Sequence, residues 1–344
     1  MNTIKPIKAG TNKTNPKEPL TSAEMGKLWA TYMGNSMSKC ILAYYLKHVD
    51  DLDIKALLEN ASKLCGEIMK RTERLLKEEN FPIPDGFNEN DVNLGAPRLY
   101  HDDYYVHYLK YAAKAGMSIY NVGYPLVFRK DIVEFFQYCL QESMLLMDQI
   151  KDILMNKGLI MKPPFIPIPD KVDYAQKDFL NGFLGRVRPL HALEITHLYD
   201  NIENNVTSKA LIMSFAQTAK SEKVRQLFQK GTSMTHTNLE RYMQKLHDEN
   251  LPSPMFLDDL VTDSTFAPFS DKLMLFHKMD MFSMKIRAFG NSLAVNGRHD
   301  IGLLYSRSLM SIARFVTDAS DIMMENGWME KPPEAAERQN LASK

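Results

Sequence analysis

The residues best placed to bind a metal ion are Glu203, His236 and Glu240. His236 and Glu240 stand about one helical turn apart, so on a helix they share a face. If helices near 190–218 and 221–249 run antiparallel about a turn at 219–220, residues at equal height have numbers summing to about 439, because both helices rise equally per residue. Glu203 and His236 satisfy that sum. Two carboxylates and one imidazole, with water completing the shell, suit a divalent metal or iron. The competing reading is a salt-bridged polar cluster, or side chains that are simply solvated. A second group, His191, Glu194, His197, His247 and His299, should gather where that helix pair begins and finishes. Its imidazoles can bind a divalent ion or form a pH-sensitive patch, whereas Glu194 also has the spacing of a helix-capping residue.

Other chemistry finds little support. A di-iron bundle needs about four carboxylates and two imidazoles, two of the sets spaced Glu-x-x-His. The chain has one such pair, Glu194 with His197, at the start of a helix rather than on a second or fourth one. Glycine-rich phosphate loops, a Gly-x-Ser-x-Gly elbow and His-Glu-x-x-His are all missing. Cys40, Cys65 and Cys139 are odd in number and without Cys-x-x-Cys spacing, which reads as reduced thiols filling cores.

The elements that must position these residues come from an internal duplication. Residues 190–254 lie over 20–84 without a gap at an offset of 170: Glu24 meets Glu194, Asn35 meets Asn205, Ser38-Lys39 meet Ser208-Lys209, and Glu79-Asn80-x-Pro82-x-Pro84 meets Glu249-Asn250-x-Pro252-x-Pro254. Farther on the offset is 169, so that Arg129 meets Arg298, Asp131 meets Asp300 and Gly158 meets Gly327; both copies close on Lys-Pro-Pro. A period this long is a domain rather than a solenoid repeat. At the positions matching Glu203, His236 and Glu240 the first copy has Met33, Gly66 and Lys70. His107 and His277 match at the offset of 170, which suggests a shared structural role, such as a hydrogen bond to the crossover.

Within each copy the pattern is helical. Thr21 and Glu24 have capping-box spacing, and an amphipathic helix follows to about 49. The others are expected near 54–79, 103–127 and 130–157, then 190–218, 221–249, 271–295 and 299–326, with β structure nearly absent. Two helices, a long crossover and two more helices define an all-α fold of two tandem ferritin-like four-helix bundles. The expected divisions are a flexible basic arm at 1–19, bundles at 20–162 and 190–333, a proline-rich linker at 163–189 and a flexible tail at 334–344. Lysine plus arginine and aspartate plus glutamate both number 42, so no net field points to nucleic acid or an anionic membrane. Neither a membrane span nor a secretory signal is expected.

The tandem halves, each with Glu-Asn-x-Pro-x-Pro after the second helix and Gly158 or Gly327 before Lys-Pro-Pro, resemble the DUF3231 proteins of Bacillus-type spore formers. The resemblance spans 20–333. It implies a ferritin-like fold related to spore coat proteins and a cytoplasmic or spore-associated setting, with spore coat components as partners. It implies no activity and no catalytic residues. The expected function is therefore a non-enzymatic structural or interaction protein; the alternative is a metal-binding or redox protein using the second bundle.

Overall fold

The computed structural model describes residues 4, 5, 7, 18–183 and 185–338; most of the expected basic arm and the end of the expected tail lie outside them. Eight long helices carry the fold: α1 (Ser22–His48), α2 (Leu52–Glu78), α3 (Asp102–Gly123), α4 (Lys130–Asn156), α5 (Ala192–Thr218), α6 (Glu222–His247), α7 (Asp271–Val295) and α8 (His299–Glu325). In the first unit α1 packs on α2, α2 on α4 and α3 on α4; α5 to α8 repeat that scheme. Among the described residues, β pairing is confined to two isolated bridges.

The repeated motifs sit where helices must stop or be tied together. Asn80 and Asn250 adopt left-handed backbone (φ 55° and 58°) just past α2 and α6. There Phe81 N–H and Leu251 N–H reach back to the carbonyls of Leu76 and Leu246 at 2.9 Å, closing helix ends whose last carbonyls have no helical partner. Gly158 and Gly327 (φ 68° and 65°) do the same after α4 and α8.

Where the first helix of each unit begins and the second finishes, a buried glutamate acts as a knot. Glu24 accepts the amides of Thr21, Phe128 and Arg129, joining the start of α1 to the turn before α4. Glu194 accepts the equivalent amides of His191, Gly297 and Arg298 and a bidentate contact from Arg188 at 2.8 Å. Arg129 then bridges Asp131 and Glu79, and Arg298 bridges Asp300 and Glu249. Apart from Arg188, whose counterpart is Glu18, each ionic group thus reads back to a residue that the duplication repeats. The described residues of the 163–189 segment form no helix; its later part docks on this knot, Arg188 stacking on Phe179 at 4.0 Å while also holding Glu194.

The two units are not beads on a string. Their crossovers pair with each other: Asn93 N–H donates to Pro268 O and Thr262 N–H to Leu99 O, while His101 N–H donates to Leu260 O and Ser270 N–H to Asp91 O. The bridges pair Val92 with Phe269 and Tyr100 with Val261. Adding 169 to one member of each pair generates its counterpart, so the units are related by a pseudo-twofold axis through the crossovers and one buried apolar core runs through both. The offset has therefore already fallen to 169 by residue 91. This corrects the matching of His107 with His277: on the third helices Tyr108 is the equivalent of His277, and His107 that of Phe276. Tyr108 Oη and His277 Nε2 meet each other across the axis at 2.7 Å, rather than either histidine tying to a crossover.

Burial by itself would raise the Glu194 carboxyl, but Arg188 and the amides of His191 and Arg298 outweigh it and hold it below its ordinary value of 4.5. A carboxylate depressed in the folded state stabilises above its unfolded value, and that contribution disappears as pH falls through the folded one. Replacing Glu194 with Ala is expected to cost about 3–5 kcal/mol at pH 7, because it strands Arg188 and the amides of His191, Gly297 and Arg298. In urea unfolding followed by circular dichroism, the gap between wild type and E194A should shrink below about pH 4.5.

Candidate functional site

Glu203 lies at the height expected of it but faces the first unit, where Lys110 of α3 pairs with its carboxylate. His236 and Glu240 are exposed on α6, the His236 ring lying 5.7 Å from that of Phe256. The three are not brought together: the sum rule fixes level along a bundle but says nothing of the direction a side chain takes around its helix. The second group is also dispersed. His191 Nδ1 accepts the Glu194 amide in a capping box, Glu194 is consumed by the knot, His247 bonds Ser253 Oγ at 3.1 Å, and His299 is exposed with its amide on Leu180 O. His197 is half-buried. Among the described residues, no group of three or more His, Cys, Asp and Glu is arranged to hold a metal ion.

What occupies the middle of the second unit is a pair of lysines. Lys278 and Lys285 are fully buried on α7, two turns apart, on either side of the Phe282 ring. Lys278 donates to the Ser208 carbonyl at 3.0 Å and to its hydroxyl, and Lys285 to Asn205 Oδ1 at 2.7 Å. Their partners are neutral, so burial pushes the Lys285 amine down to about 7, and burial together with the charge of Lys285 lowers Lys278 well below the usual lysine range. Asn35 makes the corresponding link from α1 to α3 of the first unit, donating to Tyr120 Oη at 3.2 Å.

The middle of the first unit is hollow instead. A cavity of about 110 Å³, partly open to solvent and mostly apolar, lies among α1, α2, α3 and α4, and α7 of the other unit closes one side. Its origin is legible at the offset of 169. Ala112, Ala113, Ala115 and Gly116 of α3 stand where α7 carries Met281, Phe282, Met284 and Lys285, and on α1 Gly34 replaces Asn204. A Cβ built on Gly34 would meet no atom within 4 Å. The polar groups at the wall include Asp280, reaching in from α7, with Cys65, Tyr108, Tyr111 and Tyr120. Asp280 is the pseudo-equivalent of Tyr111, so each third helix lends one residue to the neighbouring unit; Tyr111 Oη donates to Met281 O at 2.7 Å. The Asp280 carboxyl has no hydrogen-bond partner among the described residues, and burial, opposed by Arg287, pushes it up to about 6. Thr31 Oγ1 and His277 Nδ1, on two more lining residues, are buried without partners. Burial raises the Cys65 thiol to about 12, so it is a protonated wall group and not a thiolate nucleophile. Cys40 and Cys139 are buried and raised likewise, as core-filling thiols are.

A family model described as "Protein of unknown function (DUF3231)" matches residues 8–172 and again 178–341. The chain belongs to the DUF3231 family. Its two matches fall on the two units, so this DUF3231 chain carries the family fold twice. No curated protein matches it. A solved structure of a "putative spore coat protein" from Bacillus halodurans C-125 aligns over 100% of its own length with 45% of this DUF3231 chain, at 19% identity and a TM-score of 0.41. Among the described residues, no helix is long and apolar enough to cross a membrane.

A lysine whose folded value is depressed binds fewer protons than in the unfolded chain between that value and about 10.5, so stability rises with pH across this window. Lys285→Met is expected to stabilise the protein by about 1–3 kcal/mol at pH 6 and to flatten the rise in melting temperature between pH 7 and 10, which a thermal-melt series at constant ionic strength measures.

Proposed function

We propose that the protein is a non-enzymatic binding protein made of two fused ferritin-like bundles, in which the second bundle is a solid support and the first is a receptacle for a small molecule. The observation that carries this reading is the difference between the two cores: residues 112, 113, 115 and 116 are small on α3, whereas their equivalents on α7 are large and buried. In a ferritin-like bundle the centre is where metal-binding carboxylates would converge. Here one centre holds the amines of Lys278 and Lys285 and the other a mostly apolar space, a poor donor set for iron or manganese in either. Fusion of the two bundles supplies within one chain the contact that a twofold dimer makes between chains.

An engineered apolar cavity of about 150 Å³ accepts benzene, so a partly open space of about 110 Å³ suits a compact ligand of roughly four to six heavy atoms. Methylcyclopentane, delivered at saturation, should shift the methyl resonances of residues around the cavity in heteronuclear NMR spectra. Gly34→Leu, which fills the space and replaces a mid-helix glycine, should abolish those shifts and raise stability by about 1 kcal/mol or more. Shifts that persist undiminished in G34L, or their absence from wild type, contradict the reading. After aerobic loading with iron or manganese and desalting, elemental analysis should find less than stoichiometric metal; a full equivalent per chain, lost in Glu203→Ala and His236→Ala, would restore the metal-binding alternative.

A further inference from the structure

We propose that the cavity of the first unit is selective for a small organic cation, a compact aliphatic or aromatic ammonium whose charge is met by Asp280 and whose body packs among Tyr108, Tyr111 and Tyr120. The proposal rests on the reading of this space as a receptacle and adds the class of ligand.

The geometry supports it from three sides. Asp280 stands at the wall of a mostly apolar space and makes no hydrogen bond among the described residues. The cation that acts on it, Arg287, donates to Ser118 Oγ at 2.9 Å and Ser283 Oγ at 2.7 Å, with its Nη2 buried and without a partner, and makes no hydrogen bond to Asp280 among the described residues. A carboxylate left in poor solvent is costly unless something pairs with it, and an ammonium of the right size does so while the rest of the molecule covers apolar wall. The tyrosines supply the second element, because ring faces attract cations, and more strongly when water is excluded. The third is the contrast with the neighbouring bundle. There the protein's own amine, Lys285, occupies the position of Gly116 and donates to Asn205, the equivalent of Asn35. The fold thus already accommodates an amine at this point of one unit, whereas in the other Gly116 carries no side chain there and Asn35 is met by Tyr120 Oη. Burial pushes the Asp280 carboxyl up to about 6, and a bound cation opposes that by favouring the charged form.

Three probes of six heavy atoms separate charge from shape: cyclopentylammonium, cyclopentanol and methylcyclopentane. In NMR titrations of the full chain at pH 7.5, cyclopentylammonium is expected to bind at least tenfold more tightly than cyclopentanol, with intermolecular NOEs to the Tyr108 and Tyr120 rings. Asp280→Asn, nearly isosteric, should reduce that preference to threefold or less while methylcyclopentane binding is retained. Should D280N fail to fold, the NOEs in wild type and their loss in G34L carry the test. Equal affinity for the ammonium and the alcohol, or a preference that survives in D280N, overturns the proposal and leaves the receptacle standing if methylcyclopentane still binds. Failure of all three probes overturns both.

Discussion

The crossover segments pair with each other about a pseudo-twofold axis, and the remainder of the structure follows from that contact. A crossover between the second and third helices of a bundle is a liability, since its backbone amides and carbonyls have no helix to satisfy them. Here the two copies of the crossover satisfy one another. Asn93 and Thr262 donate to Pro268 and Leu99, and His101 and Ser270 donate to Leu260 and Asp91. Because the last two bonds come from the residues that cap α3 and α7, the pairing also fixes where these helices begin and which faces they turn to each other. The stacked rings of Tyr100 and Tyr104, and the Tyr108–His277 bond, are consequences of that placement.

Symmetry of backbone does not require symmetry of content. The knots at Glu24 and Glu194 are kept in both units, down to the bridging arginine, since each must hold three chain segments at one bundle end. The cores have diverged instead. One has large residues and two lysines; the other has alanines, glycines and empty space. Buried amines with neutral partners cost stability and make poor neighbours for a divalent ion, whereas a mostly apolar space beside one unpaired carboxylate invites a ligand that brings both surface and charge. The proposed division of labour between support and receptacle would account for both departures from the common pattern.

Much of the architecture was legible because its signals are local. Capping at Thr21 and Glu24, the left-handed asparagines of Glu-Asn-x-Pro-x-Pro and the terminal glycines bracket helices whose ends fall close to the expected ones. The candidate metal residues do not converge for a geometric reason: numbering along antiparallel helices gives height, while the direction of Glu203 is set by docking against Lys110 of the other unit, which no local pattern encodes. The cavity is not legible at an offset of 170. With α3 and α7 compared at an offset of 170, one residue off, each position is rotated by about 100° relative to its true counterpart, and the contrast of Gly116 with Lys285 is lost. The run Ala112-Ala113-Lys114-Ala115-Gly116 was the available signal.

The pairing of the crossovers can be tested without altering the protein. Amide hydrogen exchange of the full chain, resolved residue by residue by NMR, should find Asn93, His101, Thr262 and Ser270 protected to a common free energy approaching that of global unfolding, as expected for bonds that open only when the two units separate. Exchange of these four amides at the rate of exposed loops, with the helices of both units still protected, would contradict the pseudo-twofold arrangement and with it the placement of Asp280 at the wall of the first unit's cavity.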